Sequence, residues 1–463
     1  MATQPIILIE FNELCPRLIE QWVKSGDLPN FARLRASSTV CVTEADELKA
    51  PYLEPWIQWY SLHTGVPFRE HGVFRLSEGA NKPFPSVWEM LIDSGRRVMN
   101  FSSMNCREFK HSGSVFLPDP WNDDQHAYPT ELETFRSFLA KAVQEQRGTP
   151  WSRGELIRVF SFLLSNGLRP ATILAALKQL AAERVSSTPV AWRRVQILDL
   201  ILLDVFLHLY RKHRPEFATY FSNSTAHLQH AYWRYLEPER FSEPVSDADR
   251  SAYAGAVRFG YVSMDRQLGR IMRVAESLGA RIMFATALSQ QAYVAFEGRG
   301  GRHYYRPLDL DGLLQRLQVR AKVIQPVMAH QYILTFATPE ERRSAEAALT
   351  LPSVNGKQLF DVADGETPEK LIFGSQVYAA LASDTKIDFS ADGAAAPENF
   401  FAHFRELEAT KSGGHHPDGC FWIQTGTHRE VKDKVSILDI APTILRHYGL
   451  AASGLRGHPL TVG

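Results

Sequence analysis

Cysteine is scarce in this chain, its charges balance, and it contains no long apolar run. Cys15, Cys41, Cys106 and Cys420 are the four cysteines in 463 residues, and none forms a Cys-x-x-Cys pair. That excludes a disulfide-dense scaffold and a thiolate metal knuckle, so free thiols in a reducing compartment are expected. Lys plus Arg and Asp plus Glu each total 51. A chain without net charge lacks the footprint of a dedicated nucleic-acid binder. A membrane helix needs ~20 apolar residues, whereas Ile197 to Tyr210 is interrupted by Asp199, Asp204 and His208. Met1 to Ile9 passes directly into a strand pattern, without the basic, apolar and cleavage regions of a signal peptide. No membrane span and a cytoplasmic location are the expectation.

Hydrophobic residues make up 44% and charged residues 22% of the chain, enough to bury a sizeable core. One large α/β domain with insertions fits that length as well as two domains do. Ile6 to Glu10 reads as a buried parallel strand, followed by a helix over Pro16 to Lys24 with Leu18, Ile19, Trp22 and Val23 on one side. Val98 to Phe101 and Arg281 to Thr286 are further strands, and Ala256 to Leu278 is a crossover helix. Alternation of this kind implies a mostly parallel sheet, with its ligand beyond the carboxyl ends of the strands. From about Thr130 to Arg214 the pattern turns helical; Thr188 reads as an N-cap with Pro189 at the first helical position, and Ile197 to Leu209 is apolar nearly all round. The expected organisation is a core in three parts (1–129, 215–299 and 412–463), a helical insertion (130–214) and a smaller α+β insertion (300–411).

Six segments carry a recognisable order: Ser25-Gly26-Asp27-Leu28-Pro29-Asn30-Phe31, Thr64-Gly65-Val66-Pro67, Glu70-His71-Gly72-Val73-Phe74, Gln229-His230-Ala231-Tyr232-Trp233, Gly414-His415-His416-Pro417-Asp418-Gly419 and Asp439-Ile440-Ala441-Pro442-Thr443. In that order the chain resembles the alkaline-phosphatase superfamily, and within it the type I phosphodiesterase/nucleotide-pyrophosphatase branch. The resemblance implies an alkaline-phosphatase-like α/β sandwich around a central, mostly parallel sheet. It also implies two zinc ions on six Asp and His ligands, and a Thr or Ser nucleophile.

Most of those functional positions are replaced here. Asn12 stands where the first Asp ligand is expected, between Glu10 and Glu13. Pro55 occupies the nucleophile position, ahead of Trp59, Ser61 and Thr64-Gly65, and leaves Glu54 as the chemically competent neighbour. Ala226, Ala287 and Leu288 replace three more ligands, while His230 and His415 match the two remaining histidines. Two histidines alone hold zinc weakly, since three protein ligands are the usual catalytic minimum. The expectation is therefore no cofactor or one divalent ion on His230 and His415, with His227 or a displaced Glu as third ligand. Cys106 has no identified histidine partner in the sequence.

The candidate catalytic set is Glu54, His230 and His415. Asn12, Glu10, Glu13, Asn223, Thr225, His227, Ser289, Gln290 and Gln291 form the candidate substrate-binding set. These carboxylates and amides, with Trp56, Trp59 and Trp121, suit a phosphorylated or sugar-containing small molecule or glycan. Three readings follow: a divergent hydrolase or transferase without the dinuclear centre, a pseudoenzyme kept as a ligand- or partner-binding scaffold, and, third, a conventional zinc phosphodiesterase. The apolar helical insertion admits a homodimer contact.

Overall fold

The computed structural model describes residues 3–461 except 77, 123, 145–150, 296, 298–301, 328–329, 366, 391–395 and 408–410. Two compact units divide the chain: 1–236 with 245–292 and 413–463, and 237–244 with 293–412. The expected boundary at 299/300 lies outside the described residues.

The strands of the first unit are β1 (Ile6–Phe11), β2 (Ser38–Glu44), β3 (Val98–Phe101), β4 (Val115–Leu117), β5 (Phe217–Ser222), β6 (Arg281–Ala285), β7 (Ser289–Ala292), β8 (Gly413–His416), β9 (Asp418–Gln424), β10 (Arg429–Glu430) and β11 (Val435–Ser436). Nine of them form one sheet in the order β10-β2-β9-β6-β1-β5-β3-β4, with β11 also on β2. Only β9 runs antiparallel to its neighbours. This is the mixed α/β architecture with a large, mostly parallel sheet expected of an alkaline-phosphatase-like fold. The central strand β1 is entirely buried, which is why Ile6 to Ile9 read as an apolar run rather than an alternation. Its register pairs Phe11 with Ser222 and Glu10 with Ala285. The carboxyl ends of β1, β5 and β6 therefore finish level, and their following residues emerge side by side.

Helices flank this sheet: α1 (Pro16–Lys24), α2 (Pro55–Thr64), α3 (Glu133–Val143), α4 (Arg153–Ser165), α5 (Pro170–Val185), α6 (Val195–His213), α7 (Ser224–Leu236) and α8 (Ala256–Leu278). The apolar spacing of α1 buries Leu18, Ile19 and Trp22, and Gly279 closes α8 with a left-handed φ of 68°. One start differs from the sequence expectation. Thr188 does not begin the helix; a short 3-10 turn at Ala191–Arg194 precedes α6, and the Thr188 carbonyl instead accepts from Ser186 Oγ. The near-encircling apolar surface of α6 is buried from Leu202 to Leu207 and at Leu209 and Tyr210. Leu202 is 8% exposed. Leu202→Glu is expected to cost at least about 3 kcal/mol, because an uncompensated charge enters a packed site. An unchanged melting temperature would contradict that burial.

The second unit has its own antiparallel sheet of Phe360–Asp364, Lys370–Ser375, Gln331–Thr335 and Val323–Pro326. The helix Pro339–Leu349 packs on it, and Leu334, Leu349, Leu371 and Phe373 belong to its separate core.

Candidate active site

Three strand ends of the sheet carry non-glycine residues in left-handed backbone conformations: Glu13 (φ 62°) after β1, Ala287 (φ 57°) after β6, and Ser102 (φ 66°) after β3. Such residues persist only where their surroundings hold them, and they concentrate at functional sites. Glu13 is held by its amide, which donates to Thr286 O, and by its carbonyl, which accepts from Gln229 Nε2 at 2.8 Å. Tyr261 in turn donates to Gln229 Oε1 at 2.7 Å and accepts from the Cys15 amide at 2.7 Å. The turn re-aims the Glu13 side chain across the ends of the sheet.

His230 and His415 meet it there. Glu13 Oε2 lies 3.1 Å from His230 Nε2 and 3.5 Å from His415 Nε2, and the two imidazole rings stand 5.1 Å apart. His230 sits on the second turn of α7, and its Nδ1 donates to Gly413 O at 2.9 Å. His415 lies on β8, paired with Gln290 of β7 in an antiparallel ribbon. Glycine is required at Gly413: a Cβ there would come within 2.3 Å of Gln229 O and 2.5 Å of Gln290 Oε1. On the other side of His415, Glu54 Oε2 approaches Nδ1 at 3.4 Å. Pro55 at the first position of α2 sets this arrangement, with Glu54 in extended backbone immediately before the helix.

Both histidines thus have Nδ1 turned to an oxygen and Nε2 turned to Glu13. That is the orientation a metal-ligating imidazole takes when a second hydrogen bond fixes its tautomer. Candidate ligand atoms of Glu13, His230 and His415 all lie within 4.8 Å of one another. Donors on a tetrahedral ion with bonds near 2.1 Å would stand ~3.4 Å apart, so the Glu13-to-histidine separations fit. Burial alone would raise the Glu13 carboxyl, but His415, His230 and the hydrogen bonds from His230 and Gln290 outweigh it and hold it down at about 2. The residue is an ionised acceptor in a pocket where it is only 2% exposed.

The Glu13 carboxylate meets both histidines, which places it where a displaced glutamate could complete a set of three ligand atoms. Asn12 is tied to protein partners: its Oδ1 accepts from Trp59 Nε1 at 2.7 Å, and its Nδ2 donates to Glu13 Oε1 at 2.8 Å and Asn223 Oδ1 at 2.7 Å. It relays order from α2 and β5 to Glu13. Gln290 donates to Glu13 Oε2 and to Ala226 O, linking the ribbon to α7.

The other sequence candidates fall outside this cluster. Glu10 is fully buried, with Oε1 2.7 Å from His63 Nε2 and Oε2 accepting from Ser103 Oγ at 2.6 Å. Glu10 thus points into an inner network with His63 and Ser103. Cys106, left without a partner by the sequence, has His63 Nδ1 4.0 Å from its sulfur. Burial pushes that thiol well above its usual range and makes it inert. Ser289 and Thr225 are buried, and Thr225 packs against Gly260. His227 and Gln291 are exposed; Gln291 donates to His415 O at 3.3 Å.

Beneath α7, Asp199 holds the start of the helix that carries His230. Its carboxylate accepts from Ser224 Oγ, from Ser222 Oγ at 3.0 Å and from Gln267 Nε2 at 3.2 Å. Burial pushes this carboxyl from 3.8 up to about 6 despite the opposing bonds from Ser224, Gln267 and Ser222. A carboxyl that binds its proton more tightly when folded favours the fold at low pH. The contribution is complete below 3.8 and is lost as pH rises through about 6. Asp199→Asn is therefore expected to gain about 2.5 kcal/mol relative to the parent between pH 4 and 7.5. Altered hydrogen bonding acts at both pH values and cancels. Equal parent-to-variant differences in unfolding free energy at the two pH values would contradict this.

Among the described residues, no helix is long and apolar enough to cross a membrane. No family model and no curated protein matches the chain. Among solved structures it is similar to a phosphonoacetate hydrolase from Sinorhizobium meliloti 1021 in complex with phosphonoacetate. The TM-score is 0.42 and the identity 13%, over 97% of this chain and 96% of that one. The chemistry of the site rests on its own residues.

Proposed function

We propose that this protein is an enzyme that hydrolyses, or transfers a group from, a phosphorylated or sugar-containing small molecule, with one divalent cation in place of a dinuclear centre. The observation that carries this reading is the convergence of Glu13, His230 and His415 at the carboxyl ends of the central strands. When bound, such a cation supplies Lewis acidity. Glu13 supplies negative charge, Asn12 and Gln290 hold its two carboxylate oxygens, and the Gly413 carbonyl fixes His230. Glu54 keeps 27% of its side chain exposed beside His415. It is the carboxylate placed to orient that ring and to accept a proton from an attacking hydroxyl. The four unbridged, buried cysteines support a reducing, cytoplasmic setting.

A second reading, a non-catalytic binding scaffold, is favoured by one observation: Glu13 is already surrounded by Asn12, Gln290 and both histidines. Glu54→Gln separates the two. With glycosyl phosphates and phosphodiesters as probes and a divalent cation present, the enzyme reading expects turnover in the parent. It expects kcat to fall at least about 100-fold in the variant, with cation affinity within tenfold of the parent. Absence of turnover across that panel in the cation-loaded parent would favour the scaffold.

A further inference from the structure

Sixteen large hydrophobic side chains are exposed among the described residues, and eight of them lie on two consecutive helices, α4 and α5. On α4 these are Leu156, Ile157 (70% exposed), Phe160 and Leu164, spaced to share one face. On α5 they are Leu174, Leu177 (58%), Leu180 and Val185 (83%). Both helices make their buried contacts through other residues. Phe162 of α4 stacks on Phe135 at 5.6 Å, and Leu163 is buried. Thr172 of α5 donates to Asp204 Oδ2 at 2.6 Å, and Gln179 donates to Val190 O at 2.8 Å. The usual amphipathic order is inverted on α5, with small and polar residues facing inward and leucines facing out. A patch of this kind marks an interaction surface.

Charge identifies the occupant. Arg153, Arg158, Arg169, Lys178 and Arg184 are exposed on these helices and their junction, and none forms an ion pair with a described residue. The two acidic residues of the same segment are already neutralised, Glu155 by Lys141 at 3.1 Å and Glu183 by Arg194. Leucine, isoleucine and phenylalanine beside exposed cations is the composition of helices that lie in a membrane interface. A second copy of the chain would bring the same five cations against one another, a juxtaposition that disfavours self-pairing.

We infer that the α4–α5 face docks on an anionic lipid surface, with the apolar side chains entering the headgroup boundary and the basic ones meeting lipid phosphates. The inference is independent of the cation-site reading, since neither helix contributes to that site.

Sedimentation with vesicles tests it on the full-length protein. The parent is expected to pellet with phosphatidylcholine–phosphatidylglycerol vesicles, to remain in solution with phosphatidylcholine alone, and to release as salt is raised. Ile157→Asp/Leu177→Asp and, separately, Arg158→Glu/Lys178→Glu should each weaken binding at least tenfold without moving the melting temperature. Three results would overturn the inference: no pelleting of the parent with anionic vesicles, full binding by the charge-reversed variant, or a dimer in solution that Ile157→Asp/Leu177→Asp converts to monomer.

Discussion

Glu13→Gln is expected to lower divalent-cation affinity at least about 100-fold while leaving the protein folded. The substitution keeps the shape of the side chain but removes the one negative charge that the three-donor cluster supplies. It also removes a carboxylate oxygen that lies 3.1 Å from His230 Nε2 and 3.5 Å from His415 Nε2. Titration calorimetry with Zn²⁺ or Mn²⁺ reads the loss directly. Turnover, where a substrate has been found, should fall with it. Unchanged affinity would mean that His230 and His415 hold the ion without Glu13.

Trp59→Ala should be the most destabilising single change near the site, at about 3–5 kcal/mol from lost packing. Trp59 is fully buried, stacks with His63 at 5.5 Å and meets Phe221 edge-on at 5.7 Å. Its indole N–H is also the donor to Asn12 Oδ1, so the variant orphans a buried acceptor that helps position Glu13. Trp59→Phe keeps most of the ring and should recover much of the packing but not that hydrogen bond. Denaturant unfolding of the three proteins checks the order: parent, then Phe, then Ala. A Trp59→Ala protein within about 1 kcal/mol of the parent would contradict this packing.

The fold was legible where one periodicity dominates. β1 appeared as an apolar run because both its faces are covered, and α1 and α8 run over the residues their spacing indicated. The start of α6 was misplaced because a Ser/Thr-Pro pattern signals a helix beginning without distinguishing an α-helix from the 3-10 turn found at Ala191–Arg194. In the candidate site, His230 and His415 stood out through motif order, and Glu54 through its place beside Pro55.

The position of Glu13 was not legible in the same way. Strand alternation ends at Phe11, and the left-handed turn that follows sends the side chain in a direction no period-two pattern describes. Asn12 was equally opaque. It looked like a weakened ligand, but its amide is committed to Trp59, 47 residues away, and to Asn223, 211 residues away. Such partners appear only once the chain is folded. The inverted faces of α4 and α5 were hidden as well, because apolar spacing alone does not say which side of a helix meets the core.

The proposed site holds one cation on one carboxylate and two imidazoles. Anomalous diffraction from crystals equilibrated with Zn²⁺ or Mn²⁺ tests it most directly. A single strong peak bounded by Glu13, His230 and His415 is expected, with no second ion beside Ala226, Ala287 or Leu288. Two ions in this region, or none between Glu13 and the histidines at saturating metal, would contradict it.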